Sequence, residues 1–144
     1  MHPWMPDLLV NVDVPDLAAA ERFYTAAFGL RVGRRFGEGG VELLGLGAPM
    51  YLLATGAGSA PFPGAGERDA RRFARHWTPV HLDLAVEDLE RALARAEAAG
   101  ARREGEVVRR AWGQMAVLSD PFGNGFCLLQ FQGAGYDAIA TGRG

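Results

Sequence analysis

TPVHLDLAVEDLERALARAEAAGA (residues 78–101) and WGQMAVLSDPFGNGFCLLQF (residues 112–131) are the two stretches that decide the fold. In the first, Val80, Leu82, Leu84 and Val86 share one parity while His81, Asp83 and Ala85 share the other, the period of a strand with one face on a core. From Leu89 the pattern becomes helical: Leu89, Ala92, Leu93, Ala96 and Ala99 form one apolar stripe, with Asp88 as N-cap and Gly100 as terminator. Ala101 to Arg110, rich in arginine and glutamate, reads as an exposed edge strand and turn. The second stretch holds two apolar runs, Gln114 to Ser119 and Phe126 to Gln132. Between them Asp120, Pro121, Phe122, Gly123, Asn124 and Gly125 have the composition of a tight reversal. The order is strand, helix, edge strand, hairpin.

The same order occurs earlier in the chain. LVNVDVPDL (residues 9–17) echoes HLDLAVEDL (residues 81–89), and each is followed by an alanine-rich helical pattern that ends near a glycine. In the first copy Leu8 to Val14 reads as a strand and Asp16 as the N-cap. Leu17, Ala20, Phe23, Tyr24 and Ala27 are the buried stripe of a helix that Gly29 closes. Leu30 to Phe36 is a second strand, and Val41 to Leu46 with Met50 to Ala54 a hairpin. Arg31, Arg34 and Arg35 read as a solvated strand edge. Gly37, Gly39 and Gly40 lack the following helix that a phosphate-cradling loop requires. Aligning the two copies puts Leu9 in the place of His81 and Leu52 of MYLLA in the place of Cys127 of GFCLL. Each pair is expected to line one surface.

The doubled strand-helix-hairpin order, the segment VPDLAAAERFYTAAFGLRV (residues 14–32) and the ending SDPFGNGFCLLQF resemble the vicinal oxygen chelate superfamily. That superfamily includes glyoxalase I, extradiol dioxygenases and bleomycin-resistance proteins. The resemblance spans nearly all of residues 7 to 132. It implies an α+β fold in which two βαβββ modules form curved mixed sheets around a cleft, and it implies a homodimer. It also implies, for metal-dependent members, a divalent ion held by His, Gln or Glu at the first residue of each opening strand and in the last strand of each module. Those positions fall here on Leu9, Leu52, His81 and Cys127. Only His81 keeps a usual ligand type, and leucine has no lone pair to offer. A catalytic divalent ion commonly has three protein ligands and an open position, so the reading expects the family metal centre to be lost.

A chain of 144 residues with 49% hydrophobic residues suits one domain, residues 1–144: module one over about 7–54, an insert over about 55–78, module two over about 79–132 and a tail over 133–144. A formal charge of −2 gives no electrostatic reason to expect nucleic acid or an anionic membrane as partner. The amino-terminal MHPWMPDLL lacks the basic and apolar regions of a secretory signal. The chain has one cysteine, Cys127, so no intrachain disulfide forms, and a reducing, cytoplasmic setting is the simplest reading. Within the insert Arg68, Arg71, Arg72 and Arg75 stand at helical spacing, which predicts a basic stripe on a short helix anchored by Phe73 and Trp77. Such a stripe is a solvated face or a clamp for an anionic ligand. Trp112 has two readings, shielding the sheet edge or covering the cleft mouth. Tyr136 and Ile139 are expected to pin part of the tail.

The function these readings support is binding of a small, apolar or aromatic molecule without a cofactor. Leu9, Asn11, Met50, Leu52, His81, Asp83, Trp112, Gln114, Cys127 and Leu129 would line the cleft. His81 is the best candidate for a catalytic or orienting role. Cys127 is expected to be a buried, inert thiol unless His81 draws it into a thiolate pair. The alternative is a metal-dependent lyase, isomerase or dioxygenase in which His81 binds a relocated ion assisted by Asp83, Asn11, Asp13 or Gln114. A third reading is a partner-binding module that uses the arginine stripe.

Overall fold

The computed structural model describes residues 5–144; MHPW, part of the reading against a secretory signal, lies outside them. The fold is α+β, with two helices and two open mixed sheets. The chain divides at Phe73 and Ala74 into two compact units, and the insert is shared between them.

In the first unit β1 (Val10–Val14) leads into α1 (Leu17–Phe28), followed by β2 (Arg31–Phe36), β3 (Gly40–Leu44) and β4 (Met50–Ala54). The sheet order is β1-β4-β3-β2, with β1 and β4 parallel and the other pairs antiparallel. The helix starts where predicted, because the Asp16 carboxylate accepts from the Ala19 backbone N–H at 3.0 Å. It stops at Gly29, whose φ of 66° is a left-handed conformation that glycine adopts without strain. Ala20, Phe23, Tyr24 and Ala27 are buried on α1, and Phe23 meets Tyr24 edge-to-face at 4.9 Å between centroids. The core under them is Val14, Val41, Leu43, Met50 and Leu52.

The second unit repeats this plan with β5 (Leu82–Ala85), α2 (Leu89–Ala99), β6 (Arg102–Arg103), β7 (Val108–Arg110), β8 (Gly113–Ser119) and β9 (Gly125–Phe131). The order is β5-β9-β8-β6, β5 parallel to β9, and β7 also pairs with β8. The expected single edge strand is thus two short pieces, broken near Gly105, where φ is +86°. Asp88 caps α2 by accepting from the Arg91 N–H at 3.0 Å, and the Gln130 side-chain oxygen accepts from the Leu89 N–H at 2.8 Å. Two of the orphan donors at that helix start are satisfied in this way. Because Gln130 shares its parity with Leu128 and Phe126, that face of β9 is the one covered by α2.

The insert does not form the predicted helix. Its one regular piece among the described residues is a 3-10 turn at Glu67–Asp69, so the four arginines do not line up as a stripe. Arg71 reaches back within the first unit to the Asp13 carboxylate at 2.7 Å and to the Ala60 carbonyl at 2.7 Å. Arg75 lies in the second unit and pairs with Glu104. Arg34 and Arg35, expected as solvated edge, are likewise paired, with Glu42 and Glu21. In the tail Tyr136 packs on Phe131 and Trp112, at 4.6 and 5.5 Å between ring centroids.

Candidate functional site

His81 immediately precedes β5, and Asp83 stands two residues on, so a pleated strand aims both side chains at one face. Parallel pairing places Asp83 beside Cys127 and Ala85 beside Leu129. Antiparallel pairing then places Val117 beside Cys127 and Met115 beside Leu129. The face turned away from α2 therefore carries His81, Asp83 and Cys127 toward one end and Met115, Val117, Ala85 and Leu129 around them.

The polar end of this face is closely knit. His81 Nε2 lies 3.2 Å from Asp83 Oδ1, and both side chains are 40% exposed, which leaves them open to an incoming molecule. Burial, the negative charge of Asp83 and a hydrogen bond to its carboxylate together push the Cys127 thiol up to about 11. Cys127 is thus a protonated donor to Asp83 at neutral pH, the opposite of the thiolate that an activating His81 would create. The donor atoms of His81, Asp83 and Cys127 all lie within 4.8 Å of one another.

An aromatic rim completes the arrangement. The Trp77 ring stands edge-on to the His81 imidazole, 5.4 Å between centroids at 85°. The Arg75 guanidinium sits 4.4 Å from the Trp77 ring centroid while it pairs with Glu104, and Trp77 Nε1 lies 3.4 Å from the same carboxylate. Gly125 makes this packing possible, since a Cβ there would meet Trp77 and Arg75 atoms at 3.0 Å. The sequence reading placed Arg75 and Trp77 in a possible anion clamp on the insert rather than beside His81, and it read Glu104 as part of an exposed edge.

The remaining predicted site residues separate. Leu9, 54% exposed, and exposed Asn11 stand at the start of β1 in the first unit. Met50 and Leu52 are fully buried and pair with Val10 and Val12, on the side of the sheet that meets α1, so neither lines the opposite face. The expected pairing of Leu52 with Cys127 is off by one. Asn11 pairs with Tyr51 as Asp83 pairs with Cys127, so Tyr51 is the counterpart. Gln114 pairs with Gln130, bonds it at 3.2 Å and belongs to the α2 side. Trp112 packs with Phe131 and Tyr136, which favours its shielding role.

Tyr51 brings a cluster that the sequence reading passed over. Its hydroxyl donates to Glu42 at 2.8 Å, and Arg34 grips the same carboxylate through its side chain at 2.6 Å and its backbone N–H at 3.1 Å. The Arg34 and Tyr51 hydrogen bonds hold the Glu42 carboxyl down at about 2. The signal was present: in GVELL, Glu42 is the one polar residue between Val41 and Leu43, which are both buried.

The family-implied ion can now be tested against these side chains. Leu9 offers no donor and Leu52 faces the helix, so the four-position set does not fit. His81, Asp83 and Cys127 do supply nitrogen, oxygen and sulfur within one unit.

Two mixed open sheets, each with its own helix and a repeated order, define a protein of the glyoxalase, bleomycin resistance and dioxygenase class. A family model described as "Glyoxalase-like domain" matches residues 9–129, and the chain belongs to that family. Solved structures agree on the fold. A glyoxalase/bleomycin resistance protein/dioxygenase family enzyme from Burkholderia phytofirmans PsJN is 19% identical, with 88% of this chain and all of that chain covered and a TM-score of 0.66. A glyoxalase/bleomycin resistance protein from Albidiferax ferrireducens T118 is 24% identical over 86% of this chain and 97% of its own, with a TM-score of 0.62. The fosfomycin resistance protein FosX from Listeria monocytogenes is 14% identical over 92% and 96%, with a TM-score of 0.65. No curated protein matches. Among the described residues no helix is long and apolar enough to cross a membrane.

Proposed function

We propose that this chain binds a small, partly aromatic molecule on the face of the second unit's sheet turned away from α2. His81 and Asp83 orient it by hydrogen bonds, Val117, Met115, Ala85 and Leu129 form its apolar floor, and Trp77 forms the rim. The observation that carries this reading is a half-exposed imidazole–carboxylate pair on an otherwise apolar sheet face. Pockets that combine an apolar lining with a few placed polar groups are the usual form of a small-molecule site. Two of the similar structures bear the names of drug-resistance proteins, which is compatible with a binding role.

Titration calorimetry of a panel of planar aromatic compounds, in buffer containing a chelator, tests the proposal. His81→Ala is expected to weaken the best binder by up to about tenfold, the upper end of what one net hydrogen bond contributes. Silence from the folded wild-type protein across the panel sinks it. A metal-dependent lyase, isomerase or dioxygenase is the second reading, favoured by the convergence of three donor atoms at His81, Asp83 and Cys127.

A further inference from the structure

We propose that the second unit's sheet carries an aromatic subsite at the end opposite His81, so that its ligand is an elongated molecule with a polar head and an aromatic far end. This rests on the reading of the face turned away from α2 as a ligand site, and it adds the length and the second anchor of that ligand. Phe131 shares its parity with Cys127 and Leu129, so its ring stands on that same face. Rows across the sheet run Asp83, Cys127 and Val117, then Ala85, Leu129 and Met115, then Phe131 beside Gly113. Four residues of strand at about 3.3 Å each separate the Phe131 row from the Asp83 row by about 13 Å.

The segment after β9 builds the rest of the subsite. Gly133 and Gly135, at φ of 58° and 57°, turn the chain into a 3-10 turn over Gly135–Ala138. That turn sets the Tyr136 ring edge-on to Phe131 at 4.6 Å and within 5.5 Å of Trp112, while Trp112 meets Phe131 at 6.0 Å, all between centroids. The three rings hold one another in place, yet Phe131 stays 42% and Tyr136 51% exposed. Rings already fixed and still open can take the edge or face of a further ring with little ordering cost. At the other end the Asp83 carboxylate stands beside His81 and, among the described residues, bonds no arginine; Arg75 is held by Glu104. A head that donates hydrogen bonds, such as an ammonium, complements it.

The test is calorimetry of the full-length protein with a series of phenylalkylamines of increasing chain length, below their micelle-forming concentrations. Affinity is expected to rise by up to about fourfold per methylene laid on the apolar floor, and to level off once ammonium and ring are about 13 Å apart. Tyr136→Ala, at an exposed position whose effect on folding a urea midpoint checks, should lower the affinity of the spanning compound about two- to tenfold more than that of the shortest. Affinity indifferent to length, a rise with no break, or an equal effect of Tyr136→Ala on every member overturns the subsite. In those cases binding of the shortest compound that His81→Ala weakens leaves the ligand site itself standing. Absence of binding by every member overturns both.

Discussion

Glu42 shows how a buried charge is tolerated in a strand whose neighbours are core. Its carboxylate is 8% exposed as a side chain, yet Arg34 supplies two side-chain donors and a backbone N–H, and Tyr51 supplies a fourth. Gly33 leaves the room, because a Cβ there would run into the Glu42 carboxylate. Since the folded carboxyl sits at about 2 against an ordinary 4.5, its contribution is full above the ordinary value and is lost as pH falls toward the folded one. The stability gap between wild type and Glu42→Gln should be flat above about pH 5 and close as the pH drops toward 2, read as urea midpoints. A gap that stays constant to pH 2 refutes the assignment. His81 belongs at this scale too, as the predicted loss of ligand affinity in His81→Ala rests on one imidazole.

Among elements, the turn between β8 and β9 does more than reverse the chain. Asp120 Oδ1 accepts from the Phe122 and Asn124 N–H groups at 2.8 and 2.9 Å, and Gly123 adopts φ of +98°. A Cβ on Gly123 would meet the Ala74 carbonyl at 2.5 Å and the Arg75 nitrogen at 2.8 Å. Gly123→Ala should therefore cost at least about 1–2 kcal/mol from the left-handed backbone alone and loosen the segment that carries Arg75 and Trp77. Urea unfolding measures the first effect, and faster amide exchange at His76, whose N–H donates to Gly123, measures the second. Helices and caps were legible here because Asp16, Asp88, Gly29 and Gly100 act locally. The phase of β4 was not. MYLLA is apolar on both parities, so nothing in its pattern says which residues meet the helix, and a slip of one exchanged Tyr51 for Leu52. The helix expected in the insert failed for a related reason. Arg68, Arg71, Arg72 and Arg75 have helical spacing, as do Ala70, Phe73, Ala74 and Trp77, but a helix this short is marginal without tertiary packing, and here the backbone bonds elsewhere, Arg71 N–H to the Ser59 carbonyl and His76 N–H to the Gly123 carbonyl.

At the scale of the molecule, the internal repeat is why the architecture was readable from one sequence, since each copy checks the other. The site was half readable. His81, Asp83 and Cys127 were all marked, but their convergence depends on a strand register that the sequence does not print. β1 and β5 are the outermost strands of their own sheets, and Leu8 and Val80 beside them are 70% and 81% exposed. Apolar side chains at an open strand edge invite pairing with another chain. The homodimer implied by the family resemblance should then appear in light scattering as about twice the 15.4 kDa chain mass, and Leu8→Glu with Val80→Glu should shift it toward the monomer. A monomer at micromolar wild-type concentration contradicts it.

The edge-to-face contact of Trp77 with His81 gives the protein an optical gauge of its own. An indole's emission responds to what its ring touches, so a molecule that settles on His81 should change the Trp77 share of the intrinsic fluorescence. In a variant that keeps Trp77 as its one tryptophan, filling of the proposed site could be read with no dye or label.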